Sequence, residues 1–166
     1  EEIIRNRISH KVQTESITQY SPCTSYRELE VAIAYGSSFC SDLGSRSDAD
    51  DRVSSLIAAV SEKYQQDGLC VKVIISHLEG HCDSSSDPYR EFVSMNLSGC
   101  GNVGLLHMVK DYWMNFRIDV HRDTMLFFSG TGLECTDEDT CLIGCGYRGS
   151  LCHQDYGFAV NHVTFT

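Results

Sequence analysis

Apolar and polar positions alternate from Leu29 to Ala34. Leu29, Val31 and Ile33 occupy one phase and Glu30, Ala32 and Ala34 the other, which predicts a β-strand. A polar turn follows. Val53, Leu56, Ile57, Val60 and Tyr64 then recur at spacings of three and four, the stripe of an amphipathic helix. Ser47 with Asp50 three residues on has the form of a capping box. Asp48, Asp50 and Asp51 suit the positive end of the helix dipole, and Gly68 supplies a stop. Residues 69–75 are apolar on both faces and predict a buried central strand. A strand, a helix and a strand within about fifty residues form a βαβ unit, and its right-handed crossover makes the two strands parallel.

The pattern continues less regularly. Residues 81–88 are polar loop with three consecutive serines. Between Tyr89 and Ser98, Val93, Met95 and Leu97 alternate with Ser94, Asn96 and Ser98, which fits either a strand exposed on one face or a surface loop. Leu105, Leu106, Val109, Trp113 and Phe116 mark a second helix, with Asn102 placed to cap it. Asp123 to Phe128 predicts a third strand, closed by Ser129-Gly130-Thr131-Gly132. An acidic loop carries Cys135, Asp137, Glu138, Asp139 and Cys141. Leu142 to Tyr147 predicts a fourth strand whose glycines point to an edge that something approaches closely. Phe158 to Phe165 alternates as a fifth. Two helices with four or five strands make an α/β layer fold. The short last connections place the fourth strand antiparallel at an edge. Residues 1–25 show little periodicity and read as a linker or the remnant of a pro-segment. The opening Glu1-Glu2-Ile3-Ile4 reads as a mature or cut piece.

Composition narrows the partners. The chain has 166 residues, a length that fits one domain, and a formal charge of −10. That charge argues against nucleic acid or an anionic membrane surface, both of which need a basic footprint. No run of 18 apolar residues is present, so no transmembrane helix is expected. Cysteine changes the picture more. There are nine: Cys23, Cys40, Cys70, Cys82, Cys100, Cys135, Cys141, Cys145 and Cys152, with no Cys-x-x-Cys pair. Placed at turns and strand ends, they point to disulfides and an oxidising compartment, secreted or extracellular. The sequon Asn96-Leu97-Ser98 fits that compartment as a glycosylation site. The odd count leaves one cysteine free or paired outside the chain.

Several constellations invite chemistry. His77-Leu78-Glu79-Gly80-His81 looks like a zinc protease motif, but that motif has its glutamate directly after the first histidine, on a helix. Here the segment continues a strand. At ~3.3 Å per residue the two histidines lie roughly 13 Å apart, whereas ligands of one zinc lie within about 4 Å. Ordinary polar tips at a strand end are the expectation. Gly99, Gly101 and Gly104 have dinucleotide-loop spacing, with Asp119 about twenty positions on, but no buried strand precedes them. No nucleophile elbow occurs around Ser150. His121, between Asp119 and Asp123, reads as a solvated loop residue. The acidic run Glu134 to Asp139 lacks the spacing of a calcium loop.

Taken in order, these pieces resemble the N-terminal part of a metzincin zinc endopeptidase of the reprolysin (adamalysin) type. The resemblance runs from Tyr26 to Phe165. Glu28 to Ala34 is similar to the family's first strand, Asp50 to Tyr64 to its first helix and Val71 to Glu79 to its second strand. Trp113 is similar to the tryptophan of its second helix, Asp123 to Gly130 to its third strand, and Ile143 to Cys152 to its edge strand and following cysteine. The resemblance implies a three-layer α/β fold over residues 26–166, with a mixed, mostly parallel five-stranded sheet, an antiparallel edge strand and two main helices. It implies peptide substrate lying along Ile143, Gly144, Cys145 and Gly146 by strand addition. It implies zinc held by a helix after the fifth strand and supplied by a C-terminal subdomain. No residue of this sequence matches those ligands, so none carries a catalytic role and the chain as given is not expected to hydrolyse peptides. It further implies that Cys152 pairs beyond the chain, and that Asp123 is a calcium ligand with Glu28 or Glu30. The rival expectations are a non-enzymatic secreted, disulfide-rich domain binding peptide or protein along the same edge, and a domain joined to an assembly through its final strand.

Overall fold

The structure, a computed structural model, describes residues 3–5, 23–90, 104–130, 134–137, 140–142 and 144–163, with backbone alone at 3–5, 134–137 and 140–142. Strand β1 (Ile3–Arg5) is followed by β2 (Arg27–Tyr35), helices α1 (Ser37–Leu43) and α2 (Arg46–Gln66), and β3 (Val71–Gly80). Helix α3 (Leu105–Phe116) and β4 (Thr124–Ser129) come next. Then follow β5 (Glu134–Asp137), β6 (Thr140–Leu142), β7 (Gly144–Tyr147) and β8 (Phe158–His162).

The sheet runs β1-β7-β8-β4-β2-β3. Strands β3, β2, β4 and β8 are mutually parallel, and β7 is antiparallel to β8. This is the α/β fold that the hydrophobic pattern predicts, its sheet mostly parallel with β7 antiparallel, and β1 is added outside β7. The alternation in β2 sorts its side chains between two cores. Val31, Ile33 and Tyr35 meet Phe39, Val53 and Ile57 of α1 and α2. Ala32 and Ala34 face the other way, and their small size leaves room for Trp113, Val109 and Leu106 of α3, with Tyr89 and Phe127. The result is helix, sheet and helix in three layers.

Several expectations are corrected. The strand buried on both faces is β2, second from the edge and buried along Val31–Tyr35, whereas the apolar run expected at the centre forms β3, the edge strand, in which only Val73 is buried. Leu69, at the head of that run, is 57% exposed. The polar turn after β2 contains a helix, α1, held by the Cys40–Cys82 disulfide and by burial of Phe39. The cap of α2 lies two residues earlier than the spacing suggests. Ser45, not Ser47, accepts the N–H of Asp48 at 3.1 Å. Asp50 is otherwise engaged, because Tyr35 of β2 donates its hydroxyl to it. Gly104, not Asn102, stands at the cap position of α3, and Phe116 turns outward, 64% exposed. The acidic loop is a two-stranded hairpin, β5 with β6, which takes Leu142 out of the fourth strand. The final strand β8 lies between β4 and β7, so its two edges are engaged within the chain; Thr164, Phe165 and Thr166, the rest of the expected final strand, lie outside the described residues. Asn96, Cys100, Gly99, Gly101 and Asn102 lie outside the described residues.

Candidate functional site

The strand expected to carry peptide is β7. Its inner edge pairs with β8, Gly144 opposite Asn161, Cys145 opposite Val160 and Gly146 opposite Ala159. Its outer edge pairs antiparallel with β1, Ile3 opposite Tyr147, Ile4 opposite Gly146 and Arg5 opposite Cys145. The glycines answer to the inner neighbour. A Cβ on Gly144 would lie 2.9 Å from Oδ1 of Asn161, and one on Gly146 would lie 3.2 Å from Cβ of Ala159. The close approach read from these glycines is therefore that of β8. The strand is well held. Cys145 is buried and disulfide-bonded, and the carbonyl of Tyr147 accepts the Ser150 hydroxyl at 2.6 Å. Lys110 Nζ of α3 sits 5.3 Å from the Tyr147 ring and 4.1 Å from that of Tyr156. Ile143, the remaining residue of the expected edge, lies outside the described residues.

The second location is a cleft of about 550 Å³ at the carboxyl end of β3, lined by His77, Glu79, His81, Arg46, Ser86 and Arg117 among others. His77 and Glu79 share one face of β3 because strand side chains alternate. Glu79 is the hub. Its Oε1 takes His81 Nε2 at 2.5 Å and Arg117 Nη2 at 3.0 Å, and its Oε2 takes Arg117 Nε at 2.5 Å. His77 Nε2 stands 3.7 Å from Oε2, and its ring meets the edge of Trp113 at 5.9 Å. Burial opposes the charge on Glu79, but the hydrogen bonds and charge of Arg117 and His81 overcome it and hold the carboxyl below its ordinary range. The bond to Glu79 in turn holds Arg117 above its usual range. Behind the cluster, Trp113 donates its indole N–H to the Tyr89 hydroxyl at 2.8 Å, and burial pushes the Tyr89 phenol up. A carboxylate with both oxygens engaged is an ion-pair hub. It is not a free base, and it is more than the ordinary polar tip expected from sequence. Arg117 is 38 residues from Glu79, so no local pattern could announce it.

Other candidate positions are occupied by structure. In open α/β sheets ligands bind beyond the carboxyl ends of the strands where the strand order reverses. That place, between β2 and β4, is filled by α1. Phe39 packs between Tyr35 and Phe128, with ring centroids 5.2 and 5.9 Å away, and Asp87 Oδ2 accepts the N–H of Ser37 at 2.7 Å. Asp123 Oδ2 accepts the N–H of Glu30 at 2.9 Å and thereby ties the start of β4 to β2, while the Glu30 carboxylate pairs with His121. Cys152 is exposed and free, and partial desolvation with the neighbouring Asp123 raises its thiol above the ordinary range. Cys23 is bonded to Cys70, and Cys40 to Cys82. Among the described residues no group of three or more His, Cys, Asp or Glu side chains could hold a metal ion. No helix among them is long and apolar enough to cross a membrane. An apolar groove of about 390 Å³ lies between α2 and the sheet, lined by Leu56, Val60, Tyr64, Leu126, Leu151 and Val163 among others.

Comparison with known proteins adds the fold. No family model matches the sequence, and no match is found among curated proteins. The chain is similar to part of a solved structure described as "Structure of a chaperone-substrate complex", with a TM-score of 0.52 at 11% sequence identity. The match covers 86% of this chain and 23% of that one, so this chain spans less than a quarter of its neighbour's length. At that identity the likeness is one of fold.

Proposed function

We propose that this chain is the N-terminal part of a secreted, metzincin-type zinc endopeptidase catalytic domain, and that its own task is to hold an extended peptide against β7. The observation that carries this reading is the pairing of β1. The outer edge of β7 takes an extended segment, antiparallel, over three residues. Recognition of this kind uses main-chain hydrogen bonds for affinity and therefore accepts many sequences. Four parallel strands joined to an antiparallel fifth support the reading, as do the disulfides Cys23–Cys70 and Cys40–Cys82, which belong to an oxidising compartment. The zinc ligands and the groups that activate water come, in this reading, from a longer protein. This chain binds peptide and does not cleave it.

The test is cleavage of a quenched fluorescent peptide library by the full-length protein, with and without a zinc chelator. Cleavage that the chelator abolishes and added zinc restores is the expected result. Peptide binding without cleavage would replace the enzyme with a non-enzymatic peptide-binding domain. Neither binding nor cleavage would overturn both.

A further inference from the structure

We infer that β1 is a tethered occupant of the peptide ladder, so that the chain closes its own β7 edge and an incoming peptide must displace Ile3–Arg5. This inference rests on the peptide-binding reading of β7. A strand has two edges, and β8 takes one of them along Gly144 to Gly146. Only the outer edge is open to a ligand, and β1 covers it at Cys145, Gly146 and Tyr147, three of the four residues of the strand. The sense of the pairing is antiparallel, the sense expected of peptide on this edge, so occupant and ligand compete for the same N–H and C=O groups.

The link in cis gives β1 its advantage. Residues 6–22 join it to Cys23, and Cys23 is bonded to Cys70 just before β3. A segment attached in this way competes at an effective concentration of about millimolar order, set by the length of its tether. Its grip is nevertheless small, since only three residue pairs hold it. A short strand on a long tether is displaced by a longer peptide and returns when that peptide leaves. The edge beneath is held ready, because Cys145 is bonded and Tyr147 is fixed from Ser150 and Lys110.

The experiment compares the intact chain with the double variant Ile3→Pro/Ile4→Pro. Adjacent strand residues direct their N–H groups to opposite sides, so one of the two prolines removes a ladder donor whichever way the pairing falls. The probe is a fluorescein-labelled peptide with the sequence of residues 1–8, followed by anisotropy. Amide exchange at Cys145, Gly146 and Tyr147 is measured in parallel, and thermal unfolding confirms that the body of the fold is intact. The expected result is faster exchange in the variant and probe binding tighter by about two- to fivefold, the share that a weakly held tethered competitor takes away. Equal probe binding by both chains would overturn the inference and leave the peptide-binding reading standing. Unchanged exchange would overturn it as well. Faster exchange with no probe binding by either chain would show an edge that opens but takes no peptide, and would overturn the reading together with the inference.

Discussion

Glutamate 79 offers the sharpest test of the structural logic. Its side chain is 11% exposed and accepts from Arg117 twice and from His81 once. Glu79→Gln keeps the shape and one acceptor oxygen, removes the charge and turns an NH₂ toward the guanidinium. Hydrogen bonds to a charged partner contribute about 1.5–3 kcal/mol each, and breaking a buried ion pair costs about 3–5 kcal/mol. Arg117 keeps 32% of its side chain in solvent and can be rehydrated, which lowers the penalty. The expected loss at neutral pH is therefore about 2–3 kcal/mol, or a fall in Tm of about 4–12 °C for a domain of this size.

The pH dependence follows from the direction of the shift. The folded-state pKa of Glu79 lies below its ordinary 4.5. Its stabilisation is thus complete above the unfolded value and is lost as the pH falls through the folded one. Urea unfolding of the wild-type chain and of Glu79→Gln, stepped downward from pH 7, should show a gap that is full at neutral pH and closes below 4.5. Arg117→Met and the double variant complete a cycle in which the two single effects should fall well short of additivity. Equal stability at pH 7, or a gap that persists into acid, would refute the ion-pair account.

Two further outcomes follow from the cysteines. Replacing Cys40 and Cys82 by serine opens a loop of sequence separation 42 and frees α1 from the segment after β3, and the expected loss is about 2–4 kcal/mol by urea unfolding without reductant. A loss near zero would mean that burial of Phe39 holds α1 unaided. Cys152 should react with a thiol reagent while Cys23, Cys40, Cys70, Cys82 and Cys145 resist, and Asp123→Asn should speed the reaction at fixed pH because it removes a charge that raises the thiol. A rate unchanged by that substitution would show that Asp123 does not act on the thiol.

The fold was legible where burial followed a period, and it failed where position depended on connections. The alternation of Leu29 to Ala34 located β2, and the stripe from Val53 to Tyr64 located α2. The order of strands was harder. Residues 69–75 are more apolar than β2, yet β2 is the strand buried on both faces, because its two neighbours arrive by crossovers on opposite faces, through α2 to β3 and through α3 to β4. Composition registers apolar surface and does not register which neighbour lies beyond it. Helix α1 was invisible because seven residues make two turns, too few for a stripe, and no side chain caps it. In the cleft, His77, Glu79 and His81 declared themselves by spacing. Their partner Arg117 is joined to them only by the packing of α3 on the sheet.

The glycines of β7 separate two requirements that the sequence runs together. A Cβ on Gly144 would meet Oδ1 of Asn161 at 2.9 Å and the carbonyl oxygen of Val160 at 3.1 Å, and the second of these is backbone that cannot swing aside. Gly144→Ala should therefore push β7 away from β8 and destabilise the fold by about 1–3 kcal/mol, the usual range for overpacking. That cost arises on the inner side of the strand, away from β1. The prolines at Ile3 and Ile4 act only on the outer side. Measured by thermal unfolding and by amide exchange at β7, Gly144→Ala should lower Tm, whereas Ile3→Pro/Ile4→Pro should free the outer amides at nearly constant Tm. If Gly144→Ala left Tm unchanged, the tight seam with β8 would not be what requires glycine there.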